Sequence, residues 1–364
     1  MRGDEKRQEN LFHYFSVEER IPEGHPIREL RRVCDKALRR LSPVFDNMYS
    51  DTGRPSIAPE TLLRSTVLMA LYSVRSENQF CEQLNYNMLF RWFLGMDVSD
   101  ASFDRTVFSK NRERLLEHEV GKEFLGAVVE MAREDKLLSD EHFTVDGTLI
   151  EAWASLKSFK PKGSKKDKGD SNGFQPRNPD VDFHGQKRSN ATHESTTDPE
   201  ARLMRKGPGK EARMSHCGNV LMDNRYGLVV DSEVVLATGT AEVDAALIMI
   251  DRAIEDGISP KTLGADKGYH SNKFIGGLRK RKIVPHVAQV TGCHLEGLDA
   301  RTTRHWGYGV SQRKRKLVEQ CFGFAKTVAG MRKSRLIGIS ATDFLLSVAL
   351  ATLNIVRLSK LSTA

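Results

Sequence analysis

The sequence predicts an all-α unit over residues 1–138 followed by an α/β domain over 139–364, and three observations carry that expectation. From residue 26 to about 140, apolar residues recur at three- and four-residue steps, the helical period. After Lys136-Leu137-Leu138 the period changes, and short apolar runs appear at 142–146, 213–223, 227–236, 262–266 and 283–288. Helical runs at 242–255, 272–281, 312–328 and 343–358 then alternate with those strands.

Taken in order, residues 1–25 are mixed in character, with a short turn at 11–15. Ile27, Leu30, Val33, Ala37, Leu38 and Leu41 form one apolar face, and Pro43 is expected to end that helix. Residues 51–60 are a turn cluster with Pro59 in the first turn of the next helix, which carries Leu62, Leu63, Leu68 and Leu71. Two shorter helices, 76–84 and 88–94, are split by Asn85-Tyr86-Asn87. Others run from near 102 to about 116 and from 121 to 132. Arg105, Lys110, Arg112 and Arg114 on one of these suit either a DNA duplex or water.

The charge balance points the same way. With 56 basic and 48 acidic residues the formal net charge is +8 and the pI about 9.2, which favours a polyanionic partner. Basic residues cluster in an insertion at about 157–210, beginning with Lys157, Lys160, Lys162, Lys165, Lys166 and Lys168 among Gly, Ser and Pro. Residues 157–180 read as a flexible segment that could clamp a phosphate backbone or serve as an exposed linker. Beyond it lie Lys187-Arg188 and a helix-start signal at Thr197-Asp198-Pro199-Glu200-Ala201. The five cysteines include no C-x-x-C pair, so neither a disulfide framework nor a zinc ribbon is indicated. The first ten residues are polar and unlike a signal peptide. The longest apolar run, 344–356, is broken by Ser347, Thr352 and Asn354 and is too short to span a bilayer. A cytoplasmic protein without membrane contact is expected.

Three acidic settings stand out. In His142-Phe-Thr-Val-Asp146-Gly147, an apolar strand delivers Asp146 to its far end, and Gly147 allows a close backbone approach or a bend. In Leu263-Gly-Ala-Asp266-Lys-Gly-Tyr269, a second strand ends in Asp266, where α/β sheets bind ligands. The third is a helix carrying Arg315, Glu319 and Lys326, with Leu317, Cys321, Phe324 and Val328 on its packed side. Alone, each acid also reads as a cap or an ion-pair partner. Gathered at one sheet edge, they would need a cation, and hard oxygen ligands select Mg²⁺ or Mn²⁺. Two such ions serve in-line phosphoryl displacement.

These stretches, together with DFHGQKRSNATHESTTDPEARLMRKGPGKEA and GRPSIAPETLLRSTVLMALYSVRSENQFCEQLNYNMLFRWFLG, closely resemble bacterial insertion-sequence transposases of the DDE class, specifically the insertion sequence five family. The resemblance spans nearly the whole chain. It implies an RNase H-like catalytic domain, a mixed sheet flanked by helices, behind a helical domain that binds transposon ends. It implies metal-dependent cleavage at terminal inverted repeats and joining of 3′-hydroxyl ends to target DNA. It assigns Asp146, Asp266 and Glu319 as metal ligands, and Arg315 and Lys326 as phosphate contacts. The wider signature has Tyr where this chain has Gln312. Either Gln312 makes that phosphate contact, or Tyr308, one helical turn earlier, reaches in. Joining two ends suggests at least a homodimer on double-stranded DNA.

Trp306 and Tyr308 could stack on an unpaired base, or simply pack. Lys187, Arg188, Asn190 and His193 are further candidates for DNA contact, from their place beyond the first catalytic strand. Two other readings stay open on the sequence: a catalytically silent, transposase-derived DNA-binding protein, and a metal-dependent nuclease that does not join strands.

Overall fold

The computed structural model describes residues 16–50, 52–53, 56–139, 141–162, 189–205, 207 and 209–361. The turn expected at 11–15 and most of the lysine-rich insertion lie outside the described residues. The first part is helical: α1 (Val17–Arg20), α2 (Pro26–Arg40), α3 (Ser42–Met48), α4 (Pro59–Leu71), α5 (Glu77–Gln83), α6 (Met88–Leu94), α7 (Thr106–Glu117) and α8 (Val120–Glu134). Their ends follow local chemistry. Ser16 and Glu19 form a capping box on α1, Pro26 and Pro59 open α2 and α4, and Gly95 closes α6 at φ +76°. Pro43 does not simply stop a helix. It lies in the first turn of α3, where its missing N–H costs nothing, so the chain turns at Leu41 and restarts. Helix α7 starts at Thr106, later than expected; just ahead of it, Asp104 Oδ1 accepts the Thr106 N–H at 2.9 Å.

The second part contains β1 (His142–Glu151), β2 (Phe159–Pro161), β3 (His193–Ser195), β4 (Arg202–Arg205), β5 (Ala212–Asp223), β6 (Val229–Leu236), α9 (Ala241–Glu255), β7 (Thr262–Ala265), α10 (Asn272–Lys280), β8 (Val284–Val287), α11 (Ala300–Thr303), α12 (Trp306–Lys314), α13 (Val318–Gly323) and α14 (Ile339–Leu361). β1 is central. It pairs antiparallel with β5 and parallel with β7, and β7 pairs parallel with β8. β6 and β4 lie end to end along the other edge of β5, both antiparallel to it. The β5–β6 hairpin turns through Gly227 at φ +76°, a left-handed conformation that glycine adopts without strain.

β1 outruns the apolar stretch that announced it. Its antiparallel register with β5 continues to Glu151, whereas its parallel register with β7 stops at Thr144–Gly264. Asp146 therefore lies within the strand, not at its end, but just past the parallel pairing. Helices α9 and α10 lie over the face that carries Phe143, Val145 and Gly147. Helices α12, α13 and α14 cover the face that carries Thr144, Asp146 and Thr148.

The helical part and the sheet share one apolar cluster, from Val17 through Leu63, Phe124, Val145 and Leu263 to Leu358. α14 joins them: it packs on α2, α4 and α8 and on β6. At 23 residues this helix is longer than its apolar run suggested, and its length and hydropathy would suffice for a membrane span. It is instead a core helix, with Leu346, Val348, Leu350 and Ile355 fully enclosed.

The helix-start signal at Thr197 is a turn leading into β4. Asp198 takes backbone N–H groups from Gly338 and Glu200, and pairs with His216 Nε2 at 3.0 Å, both side chains wholly buried. That pairing pins the segment to β5, so the Asp-Pro dipeptide bends the chain without starting a helix.

Candidate active site

Continuing the β1–β7 register two residues past Thr144–Gly264 sets Asp146 beside Asp266. Each carboxylate is held by the backbone that follows it: Asp146 Oδ1 accepts the Gly147 N–H at 2.9 Å, and Asp266 Oδ1 accepts the Gly268 N–H at 2.7 Å. Burial pushes the Asp146 carboxyl up to about 6; the Gly147 N–H and Arg315 pull it down, and the charges of Asp266 and Glu242 push it further up. Glu242, in the first turn of α9, is likewise raised, by burial and then by Asp266. The acids in mutual electrostatic reach are thus Asp146, Asp266 and Glu242.

The segment opposite them is one broken helix. α12 passes through a tight turn at Arg315–Leu317 into α13, then through a π-helical turn at Phe324–Val328. π turns re-aim side chains and recur at functional sites. Lys326, on this one, donates to Thr148 Oγ1 at 2.6 Å, two residues along β1 from Asp146. Arg315 bears on Asp146, and its Nε is buried without a hydrogen-bond partner among the described residues. Glu319 stands one turn beyond Arg315 on α13, which packs on β1 through its buried side; Glu319 itself is exposed. Among the described residues, no three His, Cys, Asp or Glu side chains are already gathered as a metal-binding group. The donor chemistry nevertheless suits a hard cation: oxygen ligands only, like charges pressed together, and no lysine or arginine ion-paired to Asp146, Asp266 or Glu242 among the described residues.

The secondary candidates divide. Gln312 donates its Nε2 to the His286 carbonyl, and Tyr308 donates its hydroxyl to the Val287 carbonyl at 2.8 Å, so both tie α12 to β8. Asn190 is bonded both ways to the backbone of Leu203, at 3.0 and 2.8 Å, closing the insertion onto β4. His193 stacks on Phe159 at 5.4 Å and meets Thr192 Oγ1 at 2.8 Å. Lys187 and Arg188 lie outside the described residues. Trp306 is 77% exposed and borders a cavity of about 700 Å³ at the starts of β1, β7 and β8, away from the acids.

Two residues at the acids went unremarked in the sequence. Glu242 opens a helix, where an acid is ordinary dipole complement. Tyr269 lies three residues after Asp266 and is fully buried beside Phe274. Tyr269 stood in the Asp266 stretch without a role of its own, and the signal for Glu242 is spatial.

The family described as Transposase DDE domain matches residues 138–355, well over half of the chain. The chain belongs to the DDE transposase family. A second family, Transposase domain (DUF772), matches residues 15–114 of this DDE transposase. No curated protein matches the chain. A piggyBac transposase synaptic complex with hairpin DNA is similar at 8% identity and a TM-score of 0.40, covering 96% of this chain and 78% of that one. A Mos1 transposase paired-end complex with left transposon end is similar at 13% identity and a TM-score of 0.21, covering 80% and 84%. A Mos1 mariner paired-end complex with Mn is similar at 15% identity and a TM-score of 0.21, covering 82% and 87%. These superpositions are too loose to transfer the role of any residue.

Proposed function

We propose that this DDE transposase is of the insertion sequence five type and acts on the terminal inverted repeats of its element. In this reading it cuts double-stranded DNA and joins the freed 3′-hydroxyl ends to target DNA. The observation that carries it is the placement of Asp146 and Asp266 side by side where the parallel pairing of β1 and β7 gives out. Their sheet, β4-β5-β1-β7-β8 with β6 also on β5, in which β5 is antiparallel to β1, β4 and β6 while β1, β7 and β8 run parallel, fits an RNase H-like domain spanning 139–364. Residues 1–138 then serve as the end-binding unit, and two ends brought together call for at least a dimer.

In the proposed mechanism Asp146, Asp266 and Glu319 hold two Mg²⁺ or Mn²⁺ ions. Glu319 joins by reaching from α13 toward β1. Such ions, when bound, supply activation of a water or 3′-hydroxyl and neutralisation at the leaving oxygen. The chain's own part is positional. Arg315, with an unsatisfied buried Nε, and Lys326, parked on Thr148, present donors to the phosphates flanking the scissile bond. Trp306 offers an exposed ring to an unpaired base. Lys187, Arg188, Asn190, His193, Gln312 and Tyr308 remain proposed DNA contacts; for Asn190, Gln312 and Tyr308 this requires giving up the backbone bonds described above.

The test is incubation with end-bearing DNA and Mg²⁺, comparing the native chain with Asp266→Asn. Nicking and joining by the native chain alone is the expected result. Equal nicking by both defeats the catalytic assignment. Nicking without joining makes the protein a nuclease, and end binding without nicking makes it a silent DNA-binding relative. Because protons compete for Asp146 with its carboxyl at about 6, Mn²⁺ affinity should fall as pH drops through that value. Mn²⁺ titrations between pH 5 and 8, roughly the span around that carboxyl, read this directly; a flat affinity opposes a role for Asp146.

A further inference from the structure

We infer that Glu242 contributes a further carboxylate to the Asp146–Asp266 cation site, entering from the sheet face opposite Glu319 through the gap left by Gly147. This rests on the proposed metal-dependent reading of the site and adds a ligand to it.

The gap is a matter of atoms. A Cβ at Gly147 would stand 2.9 Å from both Glu242 Cγ and Cδ, and 2.9 Å from Asn219 Oδ1. Any side chain there would displace the Glu242 carboxyl from β1. With none, a residue of α9 comes up against the backbone next to Asp146. Asn219 is held in place, its Nδ2 donating to the carbonyls of Cys217 at 3.3 Å and Glu233 at 3.2 Å, so it walls one side of the opening.

Glu242 also differs from the acids around it. Asp244 on the same helix pairs with Lys273, and Asp251 with Arg281. Asp231 and Glu233 on β6 pair with Arg252, and Glu233 also with Lys122. Among the described residues Glu242 has no lysine or arginine partner, and its one polar contact is the Cys217 thiol at 3.8 Å. An acid left half-buried without a counter-charge, beside two others, is where a cation gains most.

A second, independent feature points to the same spot. Tyr269 is fully buried, and its hydroxyl has no hydrogen-bond partner among the described residues. Beyond burial itself, the charges bearing on that hydroxyl are those of Glu242, Asp146, Cys217 and Asp266. An enclosed phenol without a partner is costly. Aimed at these acids, it is placed to donate to a carboxylate oxygen once that carboxylate is fixed, as outer-shell donors do at metal sites.

The experiment uses the full chain, stripped of metal, with Mn²⁺ binding followed by electron paramagnetic resonance in the absence of DNA. Glu242→Gln keeps the side chain's shape and its contact with Cys217. It should weaken Mn²⁺ binding at least about tenfold, and Tyr269→Phe should do so by a smaller factor. Glu242→Asp withdraws the carboxyl by one methylene and should also weaken binding; it serves if the Gln variant does not fold. Asp146→Asn is the control. If Asp146→Asn loses Mn²⁺ while both Glu242 variants bind it as the native chain does, the role of Glu242 is overturned and the metal-dependent reading stands. If Asp146→Asn also binds normally, the reading itself fails.

Discussion

At the scale of single residues, Gly147 shows how a short motif carries two messages. Asp146-Gly147 was readable as an acid followed by a place of close approach, and the close approach is real, to Glu242 and Asn219. What the sequence could not give was the identity of the neighbour, because Glu242 is 95 positions away and looks like any acid at a helix start. Gly147→Ala should push Glu242 aside and crowd Asn219. The expected cost is about 1–3 kcal/mol in urea denaturation, together with weaker Mn²⁺ binding. A variant as stable and as Mn²⁺-competent as the native chain would contradict the packing described. Asp198 makes the complementary point. Read from sequence it belonged to a helix start; in the fold it is the buried partner of His216 and a backbone anchor. Asp198→Ala strands a buried imidazole and two N–H groups, and should cost on the order of 3 kcal/mol. A loss below about 1 kcal/mol would mean that water reaches the vacated site.

Elements were legible where their periodicity was long and uninterrupted. α6, α9, α10, β5 and β7 fall within a residue or so of their apolar runs. The segment 306–328 was harder. Its apolar side continues across a tight turn and a π turn, and neither interruption has a proline or glycine pair to announce it. The start of that helix at Trp306 was also missed, because His305 caps it through its ring, Nδ1 accepting the Gly307 N–H at 3.2 Å, a less usual cap than Ser or Asp. At the junction of α8, β6 and α14, Lys122 meets Glu233 and Asp343, and Arg252 meets Asp231 and Glu233. Burial lifts Asp343 to about 7 and Asp231 to about 6. Unfolded, both would lose their protons near pH ~4. Between there and neutrality these two carboxyls hold more protons in the folded chain than in the unfolded one, so their contribution to stability should decline as pH rises through that window and level off above it. Asp343→Asn keeps the oxygen that accepts the Val234 N–H, and should flatten part of the slope of urea midpoint against pH. An unchanged slope would remove Asp343 from this role.

For the whole molecule, the order of helices and strands was plain in the sequence, and the division near residue 138 was a reasonable expectation from the change of period. The sharing of one core across that division was not, because it depends on where α14 docks. A helix whose apolar residues go almost all the way round does not say which neighbours it has. Since α14 touches α2, α4 and α8 as well as β6, the two parts should melt together. Leu350→Ala, in the enclosed stretch of α14, should cost about 2–5 kcal/mol and shift near- and far-ultraviolet circular dichroism transitions by the same amount. Two separated transitions in the native chain would show that the helical part is stable by itself.

α14 follows in the chain everything it packs against, and synthesis runs from the amino end. Until the ribosome has released Leu361, the early helices and the finished sheet each keep an open apolar flank with nothing to close it. The transposase should therefore come to life only after its translation has passed the whole catalytic region, and ribosomes stalled before residue 339 should carry nascent chains that chaperones hold and proteases readily cut.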